Sequence, residues 1–300
     1  MSVRIGFIGL GAMGLPIARN LKEANFHVLG YDLSKKSVAQ YEAIGGKIAT
    51  SIREIVDHSE VVITMLPTGQ DVVQCAQLLI EQGLCDKLLI DMSTTGVEPA
   101  LALHKLAADN ALRVLDAPVT GGVMGAAKGT LTVMVGGAKS DFEAAAPILN
   151  TVGRFVTYAG AAGCGQAVKV CNNMAAGIIK IAISEAFALA KKMGVDEQVL
   201  FDVASNGSAN CFALTVSCPV PGLVPQAPST HDYRGGFATK LMLKDMKLAQ
   251  SAAATYGVPL SLGSVATSLY EHCVSAGLGD YDNSIVFKFI TKDDVNHLEG

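Results

Sequence analysis

Two residues four apart, Lys169 and Asn173, interrupt an otherwise apolar run that begins Gly165-Gln-Ala-Val-Lys169-Val-Cys-Asn-Asn173 and continues through Met174, Ile178, Ile179 and Ile181. Helical spacing puts both on one face. Apolar surroundings lower a lysine's affinity for its proton toward the neutral range, which is what acid/base work at pH 7 requires. A lysine that snorkels its amine out to water is the alternative. Upstream, Asp116-Ala-Pro-Val-Thr-Gly-Gly122 offers the Thr120 hydroxyl and the unobstructed amides of Gly121 and Gly122, a nest suited to a carboxylate, although a plain turn has the same composition. Downstream, Phe237-Ala-Thr-Lys240-Leu-Met-Leu-Lys244-Asp245 sets two lysines on one helical face, which alone reads as a solvated face with an adjacent acid.

A second kind of chemistry is written near the start. Gly9-Leu10-Gly11-Ala12-Met13-Gly14 follows the strand-like run Val3-Ile8 and opens a helical pattern. In such a turn the first glycine permits the bend, the second lets a pyrophosphate approach the backbone, and the third lets helix and strand pack closely. The helix N-terminus supplies amides and a favourable dipole for the anion. The next strand ends at Asp32, 18 residues beyond Gly14, where a carboxylate can accept hydrogen bonds from ribose hydroxyls. That charge favours NAD over NADP by repelling a 2′-phosphate, while Lys35 and Lys36 could offset it; a helix-capping acid is the plain alternative. Leu66 and Pro67, and Thr94 within Asp91-Met-Ser-Thr-Thr95, fall at later strand ends, where such cofactors bind. Pro67 could equally end a strand, and Ser93 or Thr94 could cap the helix that follows.

The elements that must position these groups alternate. Val3-Ile8, Val28-Tyr31, Val61-Leu66, Leu88-Ile90, Val114-Leu115, Leu131-Val135 and Phe155-Tyr158 read as strands separated by helical patterns. The fold class is α/β: an N-terminal Rossmann-type doubly wound, mainly parallel sheet followed by an all-α C-terminal domain. The boundary is placed at the Gly160-Ala-Ala-Gly163 cluster, giving a dinucleotide-binding domain over 1–163 and a helical substrate and oligomerisation domain over 164–300. That second domain begins with a long apolar helix from about Gly165 to Met193, with later helices near 196–206, 238–256 and 259–276. Between them, Ser217 to Pro228 carries four prolines and must be an ordered loop or a lid.

Composition narrows the function. With 50% hydrophobic and 17% charged residues the chain is a folded globular protein. A net charge of −4 with scattered Lys and Arg leaves no footprint for a nucleic-acid backbone. The most apolar stretch, Ala175 to Leu189, contains Lys180 and Glu185, so it reads as a buried helix rather than a membrane span. Met1 is followed almost at once by a strand, leaving no room for an export signal. Seven cysteines with no Cys-x-x-Cys pair fit a reducing cytoplasm. The histidines, His297 included, are dispersed, so no metal is expected.

Taken together, the GLGAMG turn, Met65-Leu-Pro, Asp91-Met-Ser-Thr, Asp116-Ala-Pro-Val-x-Gly-Gly, Gly165-x-x-x-Lys169-x-x-x-Asn173 and Leu241-Met-Leu-Lys-Asp245 resemble the β-hydroxyacid dehydrogenase family over essentially the whole chain. The resemblance implies that Lys169 is the catalytic acid/base and that Asn173 helps to hold substrate. It implies also that Thr120, Gly121 and Gly122 bind the substrate carboxylate and that Thr94 and Lys244 contact the cofactor. Pro219-Val-Pro-Gly222 and Tyr233-Arg-Gly-Gly-Phe237 resemble the hydroxyisobutyrate branch, which implies NAD-dependent oxidation of (S)-3-hydroxyisobutyrate in valine breakdown. Two positions depart from the pattern: Thr120 stands where serine is usual, and Cys218 where asparagine precedes Pro-Val-Pro-Gly. Another short 3-hydroxyacid, tartronate semialdehyde or serine, is the runner-up. A dinucleotide-binding protein without catalysis is the alternative of a different class, and the presence of Lys169 argues against it. Ile178, Ile179, Ile181 and Ile183, arranged around one helix, predict a homo-oligomer formed through it.

Overall fold

The computed structural model describes residues 3–293, so Met1 and His297 lie outside the described residues. Two compact units divide the chain, Met1–Lys169 and Val170–Gly300.

The first unit is one nine-stranded sheet. Its strands are β1 (Arg4–Ile8), β2 (His27–Tyr31), β3 (Lys47–Ile48), β4 (Val61–Thr64), β5 (Leu88–Asp91), β6 (Arg113–Asp116), β7 (Val119–Thr120), β8 (Leu131–Gly137) and β9 (Gly153–Gly160). Helices α1 (Gly14–Glu23), α2 (Lys35–Ala43), α3 (Ile52–His58), α4 (Gly69–Glu81), α5 (Val97–Ala108), α6 (Gly122–Lys128) and α7 (Lys139–Val152) connect them. The order is β3-β2-β1-β4-β5-β6-β8-β7, with β9 beside β8. Pairing is parallel from β3 to β6 and between β8 and β9, and antiparallel where β8 meets β6 and β7.

Strands buried on both faces need continuous apolar runs, and alternate residues of each run feed two cores. Ile5, Phe7, Ile63 and Ile90 pack on one side with Ile17 and Leu21, while Ile8, Val62 and Leu89 pack on the other with Ile55 and Leu79. Strand order reverses between β1 and β4, which leaves a crevice at their carboxyl ends. The predicted strand ending at Leu66 stops at Thr64, because the Leu66 amide turns away to donate to Ser93 Oγ at 2.8 Å. Strands β3 and β7 went unread; each is two residues long, too short to show a period.

Helix α8 (Cys164–Lys192) begins in the first unit and continues into the second. There it is followed by α9 (Glu197–Asn206), α10 (Phe212–Thr215), α11 (Thr239–Tyr256), α12 (Ser261–Cys273) and α13 (Val286–Thr291). Among the described residues of this unit the sole β feature is an isolated bridge between Ala238 and Asp282. By length and composition alone α8 could cross a membrane. One stripe of it is core, however: Ile181 packs with Met246, Tyr270 and Ile285, and Ile183 and Phe187 pack with Leu214, Cys218 and Phe287. The proline-rich segment is an ordered loop built into that core rather than a lid. Cys218 and Val220 are buried, and hydroxyls take up its carbonyls, Ser229 bonding to Cys218 O and Tyr233 to Pro219 O. Buried Lys180 donates to the Ser217 carbonyl and hydroxyl, and burial pushes its amine down to about 8.

Candidate active site

The glycine turn is shaped by close approach. Gly9 has φ 97°, a left-handed conformation, and a Cβ there would lie 2.2 Å from Met65 O. A Cβ on Gly14 would lie 1.8 Å from Gly9 O, so helix α1 can start only with glycine at this point. Gly11 is different: nothing lies within 4 Å of where its Cβ would be. Two of these glycines are required by the fold and the middle one keeps an exposed approach open, with Ala12 exposed and Met13 half-buried beside it. That is the space a dinucleotide pyrophosphate needs. Asp32 joins the turn to the second strand end, its Oδ2 accepting from Leu10 N at 2.6 Å and its Oδ1 from Ser34 N at 2.7 Å. Ser34, not Asp32, caps α2 through Ser37 N. The residues present therefore fit a nicotinamide dinucleotide: glycine amides for the phosphates and an acid at the ribose position, with lone pairs left on both oxygens.

The next two strand ends are tied together by a buried acid. Asp91 Oδ1 accepts from Thr64 Oγ1 at 2.9 Å, Ser93 Oγ at 2.6 Å and Ser93 N at 3.2 Å, while Oδ2 has no partner among the described residues. Burial pushes its pKa up to about 6 despite those donors. Through the hydroxyl of Ser93 the network reaches Leu66 N, next to Pro67. Neither Ser93 nor Thr94 caps α5, contrary to the alternative raised from sequence; its N-cap is Gly96, which has no side chain to offer. Thr68, the residue after Pro67, is the N-cap of α4, in a reciprocal cap with Asp71. Thr94 is half-buried between these anchors.

At the end of β6, Asp116 is fully buried. Its Oδ1 lies 2.9 Å from His104 Nε2 and accepts from Gly163 N at 2.9 Å, and its Oδ2 accepts from Gln166 N at 3.0 Å. It thus binds the first turn of α8, where a Cβ on Gly165 would lie 2.4 Å from Asp116 O. Further along the same strand-and-turn segment, Thr120 is half-buried, and Gly121 and Gly122 are exposed with φ 127° and 64°. Beyond Gly122 a side chain would meet nothing within 4 Å.

Lys169 is 6% exposed, and Asn173, one turn on, is equally buried. Asn173 Nδ2 donates to Asp245 Oδ2 at 2.6 Å, and its Oδ1 accepts from Asn172 Nδ2 at 2.9 Å. Asp245, taken from sequence as a solvated neighbour of the lysines, is buried on α11, and Lys244 Nζ lies 3.7 Å from its other oxygen. Lys240 turns outward to pair with Asp280. Sequence reasoning also missed Asp91, Gln166 and His104 as anchors. Asp91-x-Ser93 carried a weak turn signal, whereas His104 meets Asp116 only through the fold. Among the described residues no group of His, Cys, Asp or Glu side chains could hold a metal, and all seven cysteines are free.

A doubly wound sheet with this turn at its switch point, joined to a helical second unit, defines the class: a dinucleotide-binding oxidoreductase with a Rossmann-type first half. A family described as "NAD binding domain of 6-phosphogluconate dehydrogenase" matches residues 4–160, and one described as "NAD-binding of NADP-dependent 3-hydroxyisobutyrate dehydrogenase" matches 163–290. The chain belongs to the β-hydroxyacid dehydrogenase family. It is 37% identical to the mitochondrial 3-hydroxyisobutyrate dehydrogenase of Drosophila melanogaster, over 96% of this chain and 90% of that one. It is 40% identical to an NAD-dependent L-serine dehydrogenase of Pseudomonas aeruginosa, over 95% and 97%. A solved structure of Mycobacterium tuberculosis 3-hydroxyisobutyrate dehydrogenase with L-serine superposes with a TM-score of 0.92 at 43% identity, covering 97% of this chain and 99% of that one.

Proposed function

We propose that this protein catalyses the reversible, NAD-dependent oxidation of (S)-3-hydroxyisobutyrate to methylmalonate semialdehyde, a step of valine breakdown, in the cytoplasm. The observation that carries the reading is a buried lysine, Lys169, on the same helical face as a buried asparagine whose amide is held by a carboxylate. The names of the relatives favour the hydroxyisobutyrate substrate. Asp32 favours NAD, because its charge repels a 2′-phosphate and its oxygens are already fixed by Leu10 and Ser34.

Lys169 acts as the general base: its amine takes the hydroxyl proton as the carbinol carbon is oxidised, and in the reverse direction the ammonium returns that proton to the carbonyl oxygen. The bound nicotinamide supplies the two-electron hydride acceptor. Thr120 Oγ1 and the Gly121 and Gly122 amides hold the substrate carboxylate, and Asn173 orients the hydroxyl. Gly9, Gly11, Ala12, Met13 and Gly14 cradle the dinucleotide phosphates, Asp32 takes the ribose, and Leu66, Pro67, Thr94 and Lys244 complete its site. Residues 1–163 form the dinucleotide domain and 164–300 the substrate domain. A homo-oligomer forms through the exposed face of α8.

The test follows nicotinamide absorbance with (S)-3-hydroxyisobutyrate, L-serine and glycerate, each with NAD and NADP. We expect NAD reduction with hydroxyisobutyrate, and a fall of at least about a hundredfold in kcat for Lys169→Ala. Full turnover in that variant refutes the lysine's role. L-Serine is the second reading, favoured by the Pseudomonas aeruginosa relative and by the serine-containing structure; preference for serine over hydroxyisobutyrate would move the substrate and leave the chemistry in place.

A further inference from the structure

Gln166 is wholly buried, and both ends of its side-chain amide are committed. Its Oε1 accepts from Thr95 N at 3.1 Å and Gly96 N at 3.2 Å, and its Nε2 donates to Ser93 O at 2.8 Å. The backbone amide of the same residue is capped by Asp116. One residue thus joins three segments: the turn after β5 that carries Thr94, the end of β6 and the first turn of α8. Gly96 is the N-cap of α5 and has no side chain, and the Gln166 oxygen holds the amides of Gly96 and of Thr95 before it. Lys169 lies three residues further along α8, one turn beyond the amide fork.

We infer that Gln166 is a positioning residue for the dehydrogenase reaction, fixing the turn that carries Thr94 against the helix that carries Lys169. The inference rests on Lys169 being the acid/base. The fork is bonded in both directions: with two acceptor bonds and one donor bond to consecutive backbone groups, the turn can neither shift along the helix nor rotate away without leaving buried polar groups unpaired. Gly165 closes the remaining freedom, since the helix backbone sits against the Asp116 and Met134 carbonyls with no room for a Cβ. The effect belongs to the chemical step, where a displacement of about 1 Å between the proton acceptor and the substrate hydroxyl costs on the order of a hundredfold.

The experiment compares wild type, Gln166→Leu, Gln166→Glu and Lys169→Ala, with NADH binding read by fluorescence. For Gln166→Leu we expect kcat lower by about ten- to a hundredfold, KM and NADH affinity changed less than about threefold, and a larger deuterium isotope effect on kcat. Gln166→Glu separates geometry from stability, because a protonated carboxyl reproduces the donor and acceptor pattern of the amide and an ionised one does not. Its kcat is expected near wild type at about pH 6 and to fall toward that of the leucine variant by about pH 9, a limb the wild type lacks. Wild-type kcat and isotope effect in Gln166→Leu, with only its melting temperature reduced, would overturn the proposal. If the leucine variant does not fold, a glutamate variant whose pH profile follows the wild type overturns it equally. Undiminished turnover in Lys169→Ala removes the reading and the proposal together, whereas lysine-dependent turnover with an unaffected Gln166 series removes the proposal alone.

Discussion

Asp91 puts a charge where water cannot reach it: three donors crowd one of its oxygens and none of the described residues serves the other. Its pKa is pushed up from 3.8 to about 6, so the folded protein holds this proton more tightly than the unfolded chain does. The contribution to stability is therefore full below about pH 4 and is lost as pH rises through about 6, a swing of about 3 kcal/mol. Asp91→Asn should lack that slope in urea unfolding measured across the window, and an unchanged slope would show that the carboxyl does not titrate this way. The candidate site residues could be singled out without the fold: the glycines, Asp32, Lys169 and Asn173 each have a chemical reason to stand where they do. Their anchors were not. Asp91, Asp116, Gln166 and Asp245 are polar residues whose partners lie 2 to 73 positions away, and nothing local marks a side chain that will be buried and satisfied.

Helix starts carry the next level of meaning. Gly11 lies just before α1 and Gly165 in the first turn of α8, yet a Cβ would face open space at one and meet the Asp116 and Met134 carbonyls at the other. Gly165→Ala should cost about 1–3 kcal/mol in thermal or denaturant unfolding, because the added methyl overpacks a backbone contact. Gly11→Ala should leave stability within about 0.5 kcal/mol while weakening dinucleotide binding at least about tenfold by fluorescence titration. The reverse pattern would mean that the exposed turn is structural. Periodicity located α8 to within a residue or so at each end, since 29 residues of helix leave a long signal. It could not say which face is covered. Ile181 and Ile183 turn inward, whereas Ile179 is 40% exposed.

For the molecule as a whole, the second unit leaves apolar surface uncovered. Ala175, Ala176, Ile179, Ala182, Ala186 and Leu189 form an exposed stripe along α8, and Met193 just past its end and Val199 and Val203 of α9 are exposed as well. Leu200, Phe201 and Ala204 pack α9 onto the core of this unit, which leaves Val199 and Val203 facing outward. The proposed homo-oligomer would cover this surface: small residues let two backbones approach, and a two-fold contact would place each stripe against itself. Light scattering should give at least a dimer at micromolar concentration, and Ile179→Lys with Leu189→Glu should reduce the mass to that of one chain. A monomeric wild type would defeat the assembly.

The class of this protein could be read along the chain, because a glycine-rich turn after a strand, strand-helix alternation and a lysine with its asparagine are local patterns with local causes. The departures of strand ends from the expected positions were small. Folding was needed to show which glycines are structural and which one is open, that the proline-rich segment is core rather than lid, and that the acid beside Lys244 is a buried anchor. Those outcomes depend on burial and on hydrogen bonds between segments far apart in the chain, and desolvation is a property of the packed neighbourhood, which no window of residues contains.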